Sequence, residues 1–302
     1  MGDTNHKPRV SIGMPVYNCE RYVADAIDSH LRQTFTDFEL VITDNASTDR
    51  SGDICRAYAA RDPRIKYHRS SENIGAGGNF GRCFALSQGE YFRWTPSDDV
   101  VGPELLELCV EVLDRDPSVL LAYPRTRLID GEGRIIQDYD ENLHLMEEQP
   151  SVRFREVLRR LRLCNVQYGL TRRKVLAQTG LMRSYPGGDI PLILELALFG
   201  KFYEVPEHLF YRRMHEGAAS AMKTEKEVMN LYDPKKKESL FLYHWAHLGS
   251  NLKSIARAPI PFSEKLKICG HLVKEFRWSR KEYTGELSDA ARRLLGRARH
   301  TS

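Results

Sequence analysis

The sequence predicts an α/β protein. Its expected core is a doubly wound, mostly parallel sheet flanked by helices, with a helical extension after it. Three observations predict this. Short apolar runs alternate with amphipathic ones through the first 125 residues. Chemically loaded loops follow the apolar runs. The charge balance changes after about residue 250.

Residues 10–14 read as the first strand and 21–31 as a helix. Residues 38–43 are the next strand, 51–60 a helix and 65–68 a short strand. Helix 79–87, strand 91–95, helix 104–113 and strand 119–123 complete the repeat. Strand–helix–strand units in series imply right-handed crossovers, with ligands bound beyond the carboxyl ends of the strands. Asp130-Gly131-Glu132-Gly133, between Leu128-Ile129 and Ile135-Ile136, reads as a hairpin turn. Residues 138–150 read as a loop and 152–163 as an amphipathic helix. A helix ending at 175–179 is expected to be capped by Gly180. Residues 191–199 read as a buried helix that contains Glu195, and 202–205 and 209–212 as two short strands. Lys235-Lys236-Lys237 reads as a solvated loop. Beyond it come helices broken near Pro259 and Pro261.

The chain has 302 residues, 41% apolar and 28% charged, a globular composition with ample length for a core. Net charge is +4, but residues 251–302 carry 12 Lys and Arg against 5 Asp and Glu. That is an excess of +7, and it leaves −3 on the rest. A basic tail on an acidic body is not the interleaved basic and aromatic face of a nucleic-acid binder. Six cysteines lack C-x-x-C or zinc spacing and read as free thiols of a reducing, cytoplasmic compartment. The N-terminus has no apolar signal region, and no stretch is apolar enough to span a membrane.

The loops after the strands carry the chemistry. Pro15 fixes the exit from strand one, and Tyr17 offers a ring for stacking on a planar base. Asp44 ends strand two. It stands too early to cap the helix that Asp49 or Ser51 caps, and it can accept a pyrimidine N–H. Gly75, Gly77 and Gly78 follow Asn73 in a loop open to an anion, with neither Walker nor dinucleotide spacing. Asp98 and Asp99 end strand four. Adjacent carboxylates there repel unless a hard divalent cation or hydrogen bonds compensate, and a capping role is the alternative.

MPVYN, ELVITDNASTD, ENIGAGGN and SDD stand in order with GGDIPLILELALFGKF and LFYRRMHEGAAS. Together they resemble the inverting family 2 glycosyltransferases of GT-A fold over about residues 8–220. The resemblance implies a catalytic domain at 1–222, with a nucleotide half at 1–125 and an acceptor half at 126–222. A basic helical extension then covers 223–302. It implies a nucleotide-sugar donor, with UDP or dTDP favoured, and transfer to a glycan, glycolipid or small-molecule acceptor, with no nucleic acid involved. Pro15, Tyr17, Asp44, Asn73, Asp98 and Arg212 match the donor site. Asp98, Asp99 and His215 match the site for Mn²⁺ or Mg²⁺, and Asp189 matches the catalytic base. Two departures stand out. Pro96 replaces the first carboxylate of the metal motif. Gly188 replaces the Glu before Asp189, which leaves one fewer acidic neighbour. The rival functions are a sugar-phosphate nucleotidyltransferase and an inactive nucleotide-sugar scaffold. The first would want a Gly-rich basic loop where this chain has residues 15–20.

In the tail, Ile268, Leu272 and Phe276 share one helix face amid Lys and Arg. Peripheral contact with an anionic membrane is one reading of that face. Packing on the catalytic domain is the other, and the favoured one.

Overall fold

The computed structural model describes residues 7–218, 221, 224–232, 234 and 241–298. The Lys235-Lys236-Lys237 run lies outside them. The first half repeats strand and helix: β1 (Val10–Val16), α1 (Val23–Leu31), β2 (Phe38–Asp44), α2 (Ser51–Ala59), β3 (Ile65–Arg69), α3 (Gly75–Leu86) and β4 (Tyr91–Trp94). Then come β5 (Val100–Val101), α4 (Leu105–Arg115), β6 (Val119–Ile129) and β7 (Ile135–Tyr139). The second half holds α5 (Pro150–Arg160), a 3₁₀ turn (Asn165–Tyr168), β8 (Leu170–Arg172), α6 (Arg173–Leu176), α7 (Ile190–Phe199) and β9 (Lys201–Arg213). Four helices follow: α8 (Glu225–Tyr232), α9 (Tyr243–Arg257), α10 (Phe262–Trp278) and α11 (Arg280–Ala298).

The strands form one sheet in the order β3-β2-β1-β4-β8-β6-β9-β5, with β7 paired to β6. β3, β2, β1 and β4 are parallel, as are β6 and β9, while β8, β5 and β7 pair antiparallel. The strand order reverses at β1, between β2 and β4. The crevice therefore opens above the carboxyl ends of β1, β2 and β4. Every residue of β2 is buried. A strand covered on both faces reads as one unbroken apolar run. Its buried Glu39 is satisfied by the Ser11 hydroxyl and the Gln88 N–H.

Three expectations need correction. The two short strands of the second half are a single strand, β9, because Pro206 falls at a register shift opposite Pro124 and Arg125 rather than ending the pairing. Gly180 is not a left-handed cap: α6 stops at Leu176, and the positive φ of 53° belongs to Leu181. The glycine run is no open loop but the first turn of α3. Gly75 has φ +78°, and a Cβ there would stand 2.1 Å from the Tyr232 carbonyl oxygen of α8. A Cβ on Gly77 would stand 2.5 Å from Ser184 Cα. These glycines let two distant segments close on α3.

The tail follows the favoured reading, packing on the catalytic domain. Ile268 and Leu272 point inward and join the cluster that contains Phe154, Leu192, Leu196 and Ile255. Phe276 packs on Trp245 and Tyr283. The face assigned to a membrane by one reading is a packing face. Among the described residues no helix is long and apolar enough to cross a membrane. Ile268→Ala should therefore destabilise the protein by about 2–5 kcal/mol in urea unfolding, through lost burial and a cavity. Val273→Ala, on the opposite and exposed face, should stay within about 0.5 kcal/mol. Equal effects of the two would contradict this packing.

Candidate active site

Three loops are tied together at the carboxyl edge before any ligand is considered. The Asn18 N–H donates to Ser47 Oγ at 3.0 Å, and Asn18 Oδ1 accepts from Thr48 N at 2.8 Å. Asn45 Nδ2 donates to Asn73 Oδ1 at 2.7 Å, while Asn45 Oδ1 accepts the Ile74 N–H. Asn73 thus fastens the loop after β2 to the loop after β3, and it also accepts from Gly75 N. Pro15 lies in β1, beside Thr43. Tyr17 follows with its side chain exposed.

Asp44 is 0% exposed. Its Oδ1 accepts from Ser47 N, and its Oδ2 accepts from the Tyr67 hydroxyl and the Arg69 guanidinium. Burial alone would raise this carboxyl. The hydrogen bonds from Ser47 and Tyr67 and the Arg69 charge outweigh it and hold Asp44 below its ordinary range. Arg69, half-exposed and also bonded to the Ser47 carbonyl, is the member of the pair that meets solvent. Nothing at the sequence level singled out Arg69. Its signal was position alone, at the carboxyl end of the neighbouring strand and in register with Asp44.

Asp98 and Asp99 part company. Asp98 Oδ2 lies 3.0 Å from His215 Nε2. Asp99 is buried, with Oδ1 accepting the Arg213 N–H at 2.7 Å. Burial and the adjacent Asp98 charge raise the Asp99 carboxyl well above its ordinary value. Arg213 fixes the whole corner. Its Nε donates to the Asp98 carbonyl, its Nη1 to the Gly131 carbonyl, and its guanidinium lies over the Tyr22 ring. The same Tyr22 ring packs against His215 with centroids 4.7 Å apart. Arg212 turns the other way and donates to the Leu163 carbonyl and Asn165 Oδ1. Successive strand residues point to opposite faces, so of the two arginines Arg213 is the one that shares a side with His215.

Asp189 stands at the N-cap of α7, with Oδ1 accepting Ile190 N at 3.1 Å. The Cys164 thiol lies against it. Burial first, and then the Asp189 charge, push that thiol well up. Tyr232 and Tyr243, both raised chiefly by burial, also feel the Asp189 charge, and His247 donates to the Pro186 carbonyl beside it. Tyr168 links the two ends of the crevice. Burial dominates its upward shift, and the carboxylates of Asp99, Asp189 and Asp98 add to it against Arg212. Among the described residues no three His, Cys, Asp or Glu side chains converge as a metal cage. The Asp98–His215 pair is an oxygen and a nitrogen donor open on one side.

With this geometry in place, a family comparison decides the affiliation. The model described as "Glycosyl transferase family 2" matches residues 11–179. The chain belongs to this family. As a family 2 glycosyltransferase it is 30% identical over 225 residues to the chondroitin synthase of Escherichia coli. That match covers 74% of this chain and 31% of that protein. The chain thus spans about a third of that relative's length. It is 17% identical to S. aureus TarS 1–349 solved with UDP-GlcNAc. The TM-score there is 0.66, covering 93% of this chain and 80% of that one. The mannosyltransferase PcManGT of Pyrobaculum calidifontis, solved with GDP-Man and Mn²⁺, is 16% identical with a TM-score of 0.53, covering 97% and 88%. These likenesses show the GT-A fold expected from the sequence.

The Asp44 environment sets a sign for acid behaviour. A carboxyl held low stabilises the fold fully above its unfolded value, and that stability is lost as pH falls through the folded one. The stability gap between wild type and Asp44→Asn should therefore be widest near neutrality. It should shrink between about pH 4 and pH 2. A gap that stays constant in urea melts from pH 6 to pH 2.5 would refute this account of Asp44.

Proposed function

We propose that the protein is an inverting glycosyltransferase. It moves a sugar from a pyrimidine nucleoside diphosphate, UDP or dTDP, onto an acceptor hydroxyl of a glycan, glycolipid or small molecule. The observation that carries this reading is the pairing of Asp98 with His215 at the ends of β4 and β9, together with Asp189 at the N-cap of α7. In this reading residues 1–125 supply the nucleotide half and residues 126–222 the acceptor half.

The donor's base lies between Tyr17 and the Asp44–Arg69 pair. Both Asp44 oxygens already accept hydrogen bonds. Arg69, held by the buried Asp44, accordingly presents N–H groups to a carbonyl of uracil or thymine. Pro15 and Asn73 hold the loops that shape this pocket. Asp98, with His215 beside it, would hold a divalent cation, Mn²⁺ or Mg²⁺. Bound there, the ion would neutralise charge on the leaving diphosphate. Asp99 and Arg213 hold the Asp98 main chain and the strand end that carries His215. Arg212 stands behind the crevice and steadies the 163–165 loop beside Asp189.

Asp189 serves as general base. One of its oxygens is occupied by the helix N-terminus. An Asp189 lone pair takes the proton of the acceptor hydroxyl as that oxygen attacks the anomeric carbon from the face opposite the diphosphate. A single displacement inverts the anomeric configuration and needs no enzyme nucleophile.

Asp189→Asn should lower transfer by roughly two to four orders of magnitude, with donor affinity nearly unchanged. Normal turnover of that variant at saturating acceptor removes Asp189 from the role. In calorimetric titrations Mn²⁺ should tighten UDP binding to the wild type and leave Asp98→Ala unaffected, with UDP and dTDP binding better than GDP. A UDP affinity identical with and without EDTA overturns the metal assignment. Tight metal-dependent binding without sugar transfer or hydrolysis would point instead to the scaffold.

A further inference from the structure

Once Ile268 and Leu272 are turned inward, α10 still shows a second apolar stripe. Phe262, Leu266 and Val273 follow at i, i+4 and i+11 on its outer side, 74%, 57% and 58% exposed. At the carboxyl end Trp278 is 78% exposed, with Lys274 Nζ 5.5 Å from its ring centroid. Isolated apolar residues at a surface are ordinary, but a helical stripe of them is not.

The exposed charges around the stripe are mainly positive, Glu275 and Glu282 being the exposed acids of this stretch. Lys274, Arg277, Arg280 and Lys281 are exposed beside it. The acids of α10 lie elsewhere. Glu264 is turned inward to the Ser151 N–H and Lys267, and Glu275 falls on the side away from Val273. We propose that the outer face of α10 docks on an anionic lipid surface. The apolar stripe enters the headgroup boundary, Trp278 sits at the interface, and the flanking cations meet the headgroup charge. A second copy of the chain is disfavoured as occupant, because a self-complementary contact would set these cations against one another. The docking is independent of the transfer chemistry, since no residue of this face lies among those of the crevice.

The test uses the full chain with vesicles of phosphatidylcholine alone, or phosphatidylcholine with phosphatidylglycerol. Wild type should co-sediment at least tenfold more with the anionic vesicles, less so at high salt. Tryptophan emission should shift to the blue on binding, and Trp278→Phe should remove most of that shift. A Phe262→Gln, Leu266→Gln, Val273→Gln variant should lose vesicle binding at least tenfold while keeping wild-type circular dichroism and UDP affinity. Equal sedimentation with both vesicle types overturns the proposal. So does unchanged binding by the triple variant, or a concentration-dependent dimer abolished by that variant in the absence of vesicle binding. Loss of UDP affinity across all proteins would instead speak against the donor site and leave the vesicle comparison standing.

Discussion

One buried carboxylate holds the second half of the crevice in place. Glu195, fully buried in α7, accepts from the Gly180 N–H, from Arg183 and from Arg257. Those partners come from the start of the loop that leads to Asp189, from the middle of that loop and from α9. A charge this deep is tolerable only when every lone pair is occupied, and removing a partner leaves it uncompensated. The loop at 180–188 has little regular structure and two positive-φ residues, Leu181 and Gly187. The Glu195 clamp fixes its path, and with it the position of Asp189 at the mouth of α7. Because Arg257 belongs to the extension, the tail helices contribute to the architecture around Asp189, beside which Tyr232, Tyr243 and His247 also stand.

The opposite wall depends on strand parity. Arg213 and His215 share a side at the end of β9, and Arg213 binds the backbone that carries Asp98 while Asp99 takes the Arg213 N–H. The two acids of one dipeptide thus hold different tasks, one facing the crevice and one anchoring the strand. The arginine pair splits in the same manner.

What could be read in the sequence follows from what repeats. β1 and β2 were visible because a parallel strand buried on both faces is a continuous apolar run. The hairpin was visible because Asp130 and Gly133 carry the turn chemistry themselves: Asp130 Oδ1 accepts the Glu132 and Arg134 N–H groups, and Gly133 takes φ +84°. β5 and β8 have two and three residues, too few for any period to emerge. The glycine run was misread because glycine disfavours helices in isolation, and the close approach of Tyr232 and Ser184 that demands it is tertiary. The motifs singled out Asp44, Asp98, Asp189 and His215. They were silent on Arg69, Tyr22 and Tyr168, whose part depends on neighbours distant in sequence. Composition found the basic tail and its amphipathic helix, but burial alone shows which of the two apolar faces of α10 is outward.

The contact of Gly75 with the Tyr232 carbonyl has a consequence for the order in which the protein is made. The floor of the nucleotide pocket belongs to the first hundred residues, whereas the segment that rests on α3 lies about 150 residues later. At a synthesis rate of roughly 5–20 residues per second, the first half exists for on the order of ten seconds before α8 emerges to cover it. During that interval the small side chains of α3 leave a shallow, unfilled surface on the nascent chain. The packing behind α3 is completed late, by a segment synthesised well after it.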